Sequence, residues 1–517
     1  MIGSKNINGR VILVTKDVVY AFPFGYAYLA SYLKQRGEEV EILYRPAKRN
    51  QYADFVKKII DEKPLLVGFG TLYPDLYETK ELIEIFNQEG RDFPLIIGGQ
   101  MVTPTPEFAL QITGADIGVI GEGEMILDNL VKALRSDTDI YQVKGLAIND
   151  NNQIEITGPG EYFTDMSLLP ILQYDIIPPE KWLNIGQFFI NYSQPHWLYN
   201  DKVLSIHGGR GCPFNCNFCY HHSVPRYRKV SDMFAGLADL ISKYKINMLY
   251  FGDDLVLASP QRTGELIQAI KKLSRKVEFS VSCRFDILDR IDDKLLHEMK
   301  KNGCRIMSLG IESGSQRILD IIDKRITVEQ IKKGLERLKN AGILPTVSVM
   351  IGQYTETLDD VQKSIDLMLC AVKQNKNIIF SSTFCTPFPG TGLYDLALKE
   401  GKIKNHKDFY DKFDPNKEMG SLSVNLSAMS DSEAKQARKN FDDIYKKAKD
   451  ESMGFWVKSV EKTRYFVYRV YNKLNKIIFS KLPDKNYFNL LKIIFTGCHN
   501  FLQSLLDKIR LRLLGLK

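Results

Sequence analysis

Two separate series of short apolar runs, each run followed by an amphipathic stretch, constrain this 517-residue chain more than any other feature. In the first series the strand candidates are Val11 to Val14, Val40 to Leu43, Leu65 to Phe69, Leu95 to Ile97 and Asp116 to Ile120, with helical segments between and after them to Arg135. The second series runs through Val203 to Ile206, Met248 to Phe251, Glu278 to Ser282, Ile306 to Leu309, Thr346 to Met350 and Ile378 to Phe384. Strands that alternate with helices form parallel sheets, so the chain is predicted to be α/β. The first series fits a flavodoxin-like doubly wound sheet, whose ligand crevice lies beyond the carboxyl ends of its strands. Six units in the second series fit a partial (β/α)6 barrel of the TIM type, with function on the loops after the strands.

Turn chemistry divides the rest. Leu146-Ala147-Ile148 and Ile154-Glu155-Ile156 flank Asn149-Asp150-Asn151-Asn152 and predict a hairpin. Residues 158 to 200 then hold Pro159, Pro170, Pro178, Pro179 and Pro195 without a sustained period, which marks a boundary. The expected domains are 1–145, a hairpin and linker at 146–200, a barrel at 201–400, a segment at 401–453 suited to a substrate lid, and a helical tail at 454–517. An apolar content of 44% allows more than one core. Met1 to Arg10 is polar and has no secretory pattern, so a cytoplasmic location is expected.

Chemistry concentrates in Gly211-Cys212-Pro213-Phe214-Asn215-Cys216-Asn217-Phe218-Cys219-Tyr220. The C-x-x-x-C-x-x-C spacing lets one loop wrap three thiolates around a four-iron four-sulfur cube, leaving one iron free for a small molecule, usually S-adenosylmethionine. Three cysteines with His221 or His222 also make up a Cys3His zinc set, although structural zinc sites usually draw their ligands from two separated knuckles. A redox disulfide needs only two of the three. Cys283, Cys304, Cys370, Cys385 and Cys498 are dispersed and read as ordinary thiols.

With Arg210 before it and aromatic Phe218 and Tyr220 inside it, this stretch resembles the radical S-adenosylmethionine superfamily. Within residues 11 to 135, Pro23-Phe24-Gly25, Gly98-Gly99 and Gly121-Glu122-Gly123-Glu124 look like the cobalamin-binding domain that precedes many such enzymes. Each glycine turn taken alone reads equally as a tight turn. Residues 1 to 195 contain no histidine, so the D-x-H-x-x-G loop that ligates cobalt in methyltransferases is absent. The resemblance implies cobalamin without a histidine ligand, its nucleotide tail held by the Thr71, Gly98, Gly99 and Gly121 loops. It also implies Cys212, Cys216 and Cys219 as cluster ligands and an external electron donor such as flavodoxin or ferredoxin.

Polar motifs follow the barrel strands. S-adenosylmethionine offers an ammonium, a carboxylate and ribose hydroxyls, so its site needs acidic acceptors and a cationic donor. Asp253 or Asp254 suits the amine, Arg284 the carboxylate, and Glu312 the ribose or amine; each alone also reads as a loop charge or a barrel ion pair. By resemblance, Gly252-Asp253-Asp254 occupies the family's G-G-E position, and Thr386-Pro387-Phe388-Pro389-Gly390-Thr391 its T-P-x-P-G-T. Ile351-Gly352-Gln353-Tyr354-Thr355-Glu356-Thr357 departs from the family's fifth-strand motif. The family mechanism would cleave S-adenosylmethionine to methionine and a 5′-deoxyadenosyl radical, abstract a substrate hydrogen and transfer a methyl group from methylcobalamin. Cyclisation or ring rearrangement, as in the anaerobic porphyrin cyclases that this architecture also resembles, is the second chemistry. A cofactor-free binding scaffold is the third reading.

Residues 454 to 517 carry thirteen Lys and Arg against three Asp and Glu, more than the whole chain's net charge of +8. Val467, Tyr471, Leu474 and Ile478 recur at helical spacing opposite Arg469, Lys473 and Lys476, an amphipathic basic pattern. Such a helix suits either an anionic membrane surface, with a lipid-like substrate, or packing against the barrel. No basic fold of the kind that reads nucleic acid accompanies it.

Overall fold

The computed structural model describes residues 6–16, 22–183, 201–220, 224–413 and 421–453, with scattered residues from 459 to 512. The first sheet contains β1 (Val11–Thr15), β2 (Val40–Tyr44), β3 (Leu66–Gly70), β4 (Leu95–Gly98), β5 (Ile117–Val119), β6 (Leu146–Asp150) and β7 (Gln153–Ile156), in the order β2-β1-β3-β4-β5-β6-β7. The first five are parallel and give the flavodoxin-like order. β1 reads Val-Ile-Leu-Val-Thr because both its faces are covered. Val11 and Leu13 pack with the helices Phe24–Gln35 and Gly123–Arg135, while Ile12 and Val14 pack with those on the other face. The predicted hairpin forms and continues this sheet, β6 pairing antiparallel with β5. Asn151 and Asn152 take φ of 51° and 68° in its turn, a conformation that asparagine tolerates better than most residues.

The second sheet is parallel throughout: β8 (Val203–Ile206), β11 (Met248–Phe251), β12 (Glu278–Cys283), β13 (Cys304–Glu312), β14 (Leu344–Ile351) and β15 (Ile379–Phe384). Neighbours in space are neighbours in sequence, and β8 and β15 remain edges, as in an incomplete barrel. A short antiparallel ribbon, β9 (Gly209–Arg210) with β10 (Arg226–Tyr227), leaves the end of β8 and frames the cysteine loop.

Two connections fasten the sheets to each other. The proline-rich linker packs into the barrel core through Tyr174, Ile177 and Trp182, and the Tyr174 hydroxyl donates to Ser205 O at 2.6 Å. After β15 the chain returns to the first sheet, where Leu393, Tyr394, Phe409 and Tyr410 share a core with Tyr73, Phe86 and Ala109. A large apolar side chain contributes about 1.5–3 kcal/mol when fully buried, so apolar packing holds the two units together. The helix Asp431–Ser452 buries Ala434, Ala437 and Phe441 in the barrel core. Of the expected amphipathic tail helix, Val467, Arg469 and Lys473 are helical, whereas Tyr471, Leu474, Lys476 and Ile478 lie outside the described residues. No described helix is long and apolar enough to cross a membrane.

Candidate functional site

Beyond the end of β8, Cys212, Cys216 and Cys219 line one cavity of about 550 Å3 that opens into the barrel. None of the three is in a disulfide: Cys216 is buried, Cys212 half-buried and Cys219 exposed. The loop is anchored on three sides. Asn217 Nδ2 donates to Ile321 O at 2.9 Å, Asn217 O accepts from Leu393 N at 2.9 Å, and Gly211 N donates to Asp254 Oδ2 at 3.0 Å. Burial, followed by the neighbouring sulfurs, pushes the Cys219 thiol up to about 11, and burial also raises Cys212. Three soft sulfur donors on one short loop at the mouth of a cavity fit an iron-sulfur cluster, whose cationic irons favour the thiolate form. No three His, Cys, Asp or Glu among the described residues converge as for a single metal ion. His221 and His222, the alternative zinc ligands, lie outside the described residues.

Of the charged residues predicted at the rim, Asp254, Arg284 and Glu312 line the cysteine cavity. Asp253 does not. It is buried below the rim, where Oδ1 accepts from Gly208 N at 2.7 Å and burial pushes its carboxyl up to about 7. Arg284 directs Nη1 to Cys216 Sγ at 3.4 Å, pairs through Nε with Asp286 at 2.9 Å, and stacks its guanidinium 3.6 Å from the Phe214 ring centroid. Glu312 Oε1 accepts from Lys324 Nζ at 2.7 Å. Lys324 itself lines the cavity, buried beside the Phe218 ring. Lys324 and Asp286 gave no local signal, because a lone charge after a strand or helix looks like any solvated loop residue. Tyr220 lies at the junction of three segments: a Cβ on Gly390 would sit 2.5 Å from its Cε2 and 2.9 Å from Pro104 Cβ.

A second cavity, of about 320 Å3, opens at the carboxyl ends of β1, β3, β4 and β5. Its walls are mainly apolar, lined by Leu13, Leu29 and Leu127 and by Phe24, Tyr26 and Tyr28. Glycine creates the slot. A Cβ on Gly68 would meet Leu13 Cδ2 at 3.0 Å, and one on Gly70 would meet Tyr26 Oη at 2.9 Å. Gly98, Gly99 and Gly121 line it, and Gly99 at φ 103° leaves no space for a side chain because Thr71 O stands 2.9 Å from a Cβ there. Thr71 is not among the lining residues; it is buried behind the slot and fixes Gly98 O with both Oγ1 (2.9 Å) and N (2.7 Å). An aromatic, glycine-floored slot at this edge fits the flat nucleotide tail of a cobalamin.

The B12 binding domain model matches residues 10–131, and the Radical SAM superfamily model matches residues 206–368. The chain joins a B12-binding domain to a radical SAM domain. An uncharacterized methyltransferase of Pyrococcus horikoshii is 28% identical over 388 residues, 73% of this chain and 78% of that protein. The anaerobic magnesium-protoporphyrin IX monomethyl ester cyclase of Rubrivivax gelatinosus is 26% identical over 351 residues, 66% of this chain and 61% of that protein. The solved structure of the radical S-adenosylmethionine methyltransferase TsrM from Kitasatospora setae, with cobalamin and a [4Fe-4S] cluster bound, has the same fold. It superposes with a TM-score of 0.61 at 18% identity, over 76% of this chain and 78% of that one.

Ion pairs tie the B12-binding domain to the radical SAM domain at the slot. Arg210 Nη1 lies 2.6 Å from Glu122 Oε2 and Arg210 Nη2 lies 2.5 Å from Glu124 Oε1, and Arg226 also pairs with Glu122. All four side chains are at most 11% exposed. Burial would raise the Glu122 carboxyl, but Arg226 and Arg210 outweigh it and hold the group below its ordinary value. The Gly121-to-Glu124 turn therefore does two jobs: its glycines face the slot and its glutamates grip the residue two places before Cys212. His207, from the loop after β8, completes the slot against Phe24 and Tyr28. Nothing local marked His207, because it comes from the other domain.

Proposed function

We propose that this protein is a cobalamin-dependent radical S-adenosylmethionine enzyme that methylates an unactivated carbon of a small molecule. One observation carries the reading: the tri-cysteine cavity and the cobalamin slot are built side by side and locked together through Arg210. Cys212, Cys216 and Cys219 hold the cluster and leave one iron for S-adenosylmethionine. Asp254 faces the ammonium of that ligand, Arg284 and Lys324 supply positive charge for its carboxylate, and Glu312 accepts from its ribose or amine. Gly98, Gly99 and Gly121, with Thr71 behind them, hold the cobalamin tail. When bound, these cofactors supply a carbon-centred radical and a transferable methyl group; the chain supplies position and exclusion of water. An external donor such as flavodoxin or ferredoxin reduces the cluster.

Similarity to a porphyrin ester cyclase supports a second reading, cyclisation without methyl transfer. Product analysis separates the two. Anaerobically reconstituted enzyme given S-adenosylmethionine, cobalamin and a reductant should release both 5′-deoxyadenosine and S-adenosylhomocysteine if it methylates; release of 5′-deoxyadenosine without S-adenosylhomocysteine supports the cyclase reading. The basic tail further supports a peripheral position at an anionic membrane and a lipid-like substrate, since each basic side chain near such a surface contributes about 1 kcal/mol.

A further inference from the structure

Glu312 is the least relaxed residue of the cysteine cavity. It ends β13 with φ of 66°, in the left-handed region, and the register between β13 and β14 shifts between Gly310 and Glu312. For a residue with a side chain that conformation costs about 1–2 kcal/mol, so surrounding contacts must impose it. Two features accommodate it. Gly310 has no side chain, and a Cβ there would collide with Glu312 Oε1 and lie 2.9 Å from Lys324 Nζ. Glu312 can therefore fold back over Gly310 to meet Lys324.

The second feature is a fully buried amide. Gln353, just beyond β14, donates from Nε2 to Glu312 O at 2.9 Å and to Met350 O at 3.0 Å, bridging the ends of two strands where their ladder is irregular. Its own backbone is fixed from below. Glu356 Oε2 accepts from Gly352 N at 2.7 Å and from Gln353 N at 3.3 Å. Gln353 does not line the cavity. At 0% exposure, with Oε1 buried and unpartnered, this glutamine offsets its desolvation through Nε2, and one of the Nε2 bonds goes to the carbonyl of the strained residue.

We propose that Gln353 is a positioning residue for S-adenosylmethionine, holding the Glu312 backbone in its left-handed turn so that the Glu312–Lys324 pair faces the bound ligand. This rests on the reading of Glu312 as part of the S-adenosylmethionine site. Leucine at 353 keeps the volume and removes the donor, leaving Glu312 O and Met350 O without it. The extended conformation then becomes accessible to Glu312, and its carboxylate leaves Lys324.

The test is a double-mutant cycle on full-length, anaerobically reconstituted protein, read as the S-adenosylmethionine dissociation constant by calorimetry. Iron content and thermal midpoint are measured on every variant. Gln353→Leu should weaken binding about tenfold, the worth of one well-placed hydrogen bond, with iron content unchanged. In a Glu312→Ala background the same leucine should add less than twofold, because the residue it acts through is gone. If Gln353→Leu does not accumulate, Gln353→Met, of similar length and also without a donor, takes its place in the cycle. Two results overturn the proposal: binding unchanged in Gln353→Leu, or an equal loss in both backgrounds. If Glu312→Ala alone leaves binding unchanged, the assignment of Glu312 to the site falls, and with it this inference.

Discussion

Arg210 and Glu124 lie 86 residues apart in sequence and meet at 2.5 Å, joining the residue two places before Cys212 to the turn that lines the glycine-floored slot. A buried ion pair is poor evidence of stability in itself, but removing one partner strands the other, at about 3–5 kcal/mol. Arg210→Met should therefore lower the urea midpoint markedly and reduce cobalamin retained after gel filtration. The double variant Arg210→Met with Glu124→Gln should recover part of the lost stability, since it no longer strands Glu124. Unfolding of the single and double variants side by side checks this.

Asp253 makes a prediction about pH. Burial holds its folded carboxyl at about 7, above the ordinary value of 3.8, so the folded state keeps that proton more tightly than the unfolded chain does. Stability tied to this group is present at low pH and is lost as pH rises from about 4 through 7. Asn cannot titrate and still offers an oxygen to Gly208 N. Asp253→Asn should gain stability relative to wild type at pH 8 and not at pH 4, measured by urea unfolding of identically reconstituted samples.

Glycine 99 sets the wall of the slot. Its φ of 103° and the nearness of Thr71 O make any side chain there strained and intrusive. Gly99→Val should abolish cobalamin retention while iron incorporation into the cysteine loop persists. The cob(II)alamin form of the wild type should show no nitrogen superhyperfine splitting from an axial histidine of the B12-binding domain, because residues 1 to 195 contain none.

Deleting residues 454–517 tests the membrane reading. Co-sedimentation of the full-length protein with anionic liposomes should fall steeply as salt rises, through screening of the basic side chains. The truncated protein should not sediment with them and should still cleave S-adenosylmethionine. Indifference of the full-length protein to anionic liposomes leaves substrate class open.

Most of the architecture was legible because it rests on local periodicity. β1, β2 and β4 begin at the residues expected of them, and the hairpin turned where the asparagines cluster. Its pairing with β5 was not legible, since edge pairing leaves no mark on either strand. The cysteine loop stood out in the sequence by its spacing and its flanking residues, and its three cysteines do line one cavity. Around it, sequence reasoning found residues whose type announces a role, such as Arg284 and Glu312, and missed those whose role comes from placement. Lys324 follows a short helix as an ordinary charge, and Gln353 sits in a segment whose departure from a familiar motif did not single it out. Glu122 and Glu124 sat in a glycine turn that suggested only cobalamin, because their partners Arg210 and Arg226 come from the other domain.

The most direct measurement of the central claim is metal content after anaerobic reconstitution with iron, sulfide and cobalamin. About four irons and about one cobalt per chain are predicted, with the iron lost and the cobalt kept when Cys212, Cys216 and Cys219 are all replaced by alanine. Iron content that survives the triple substitution, or a chain that retains zinc and no cobalamin, would contradict the account.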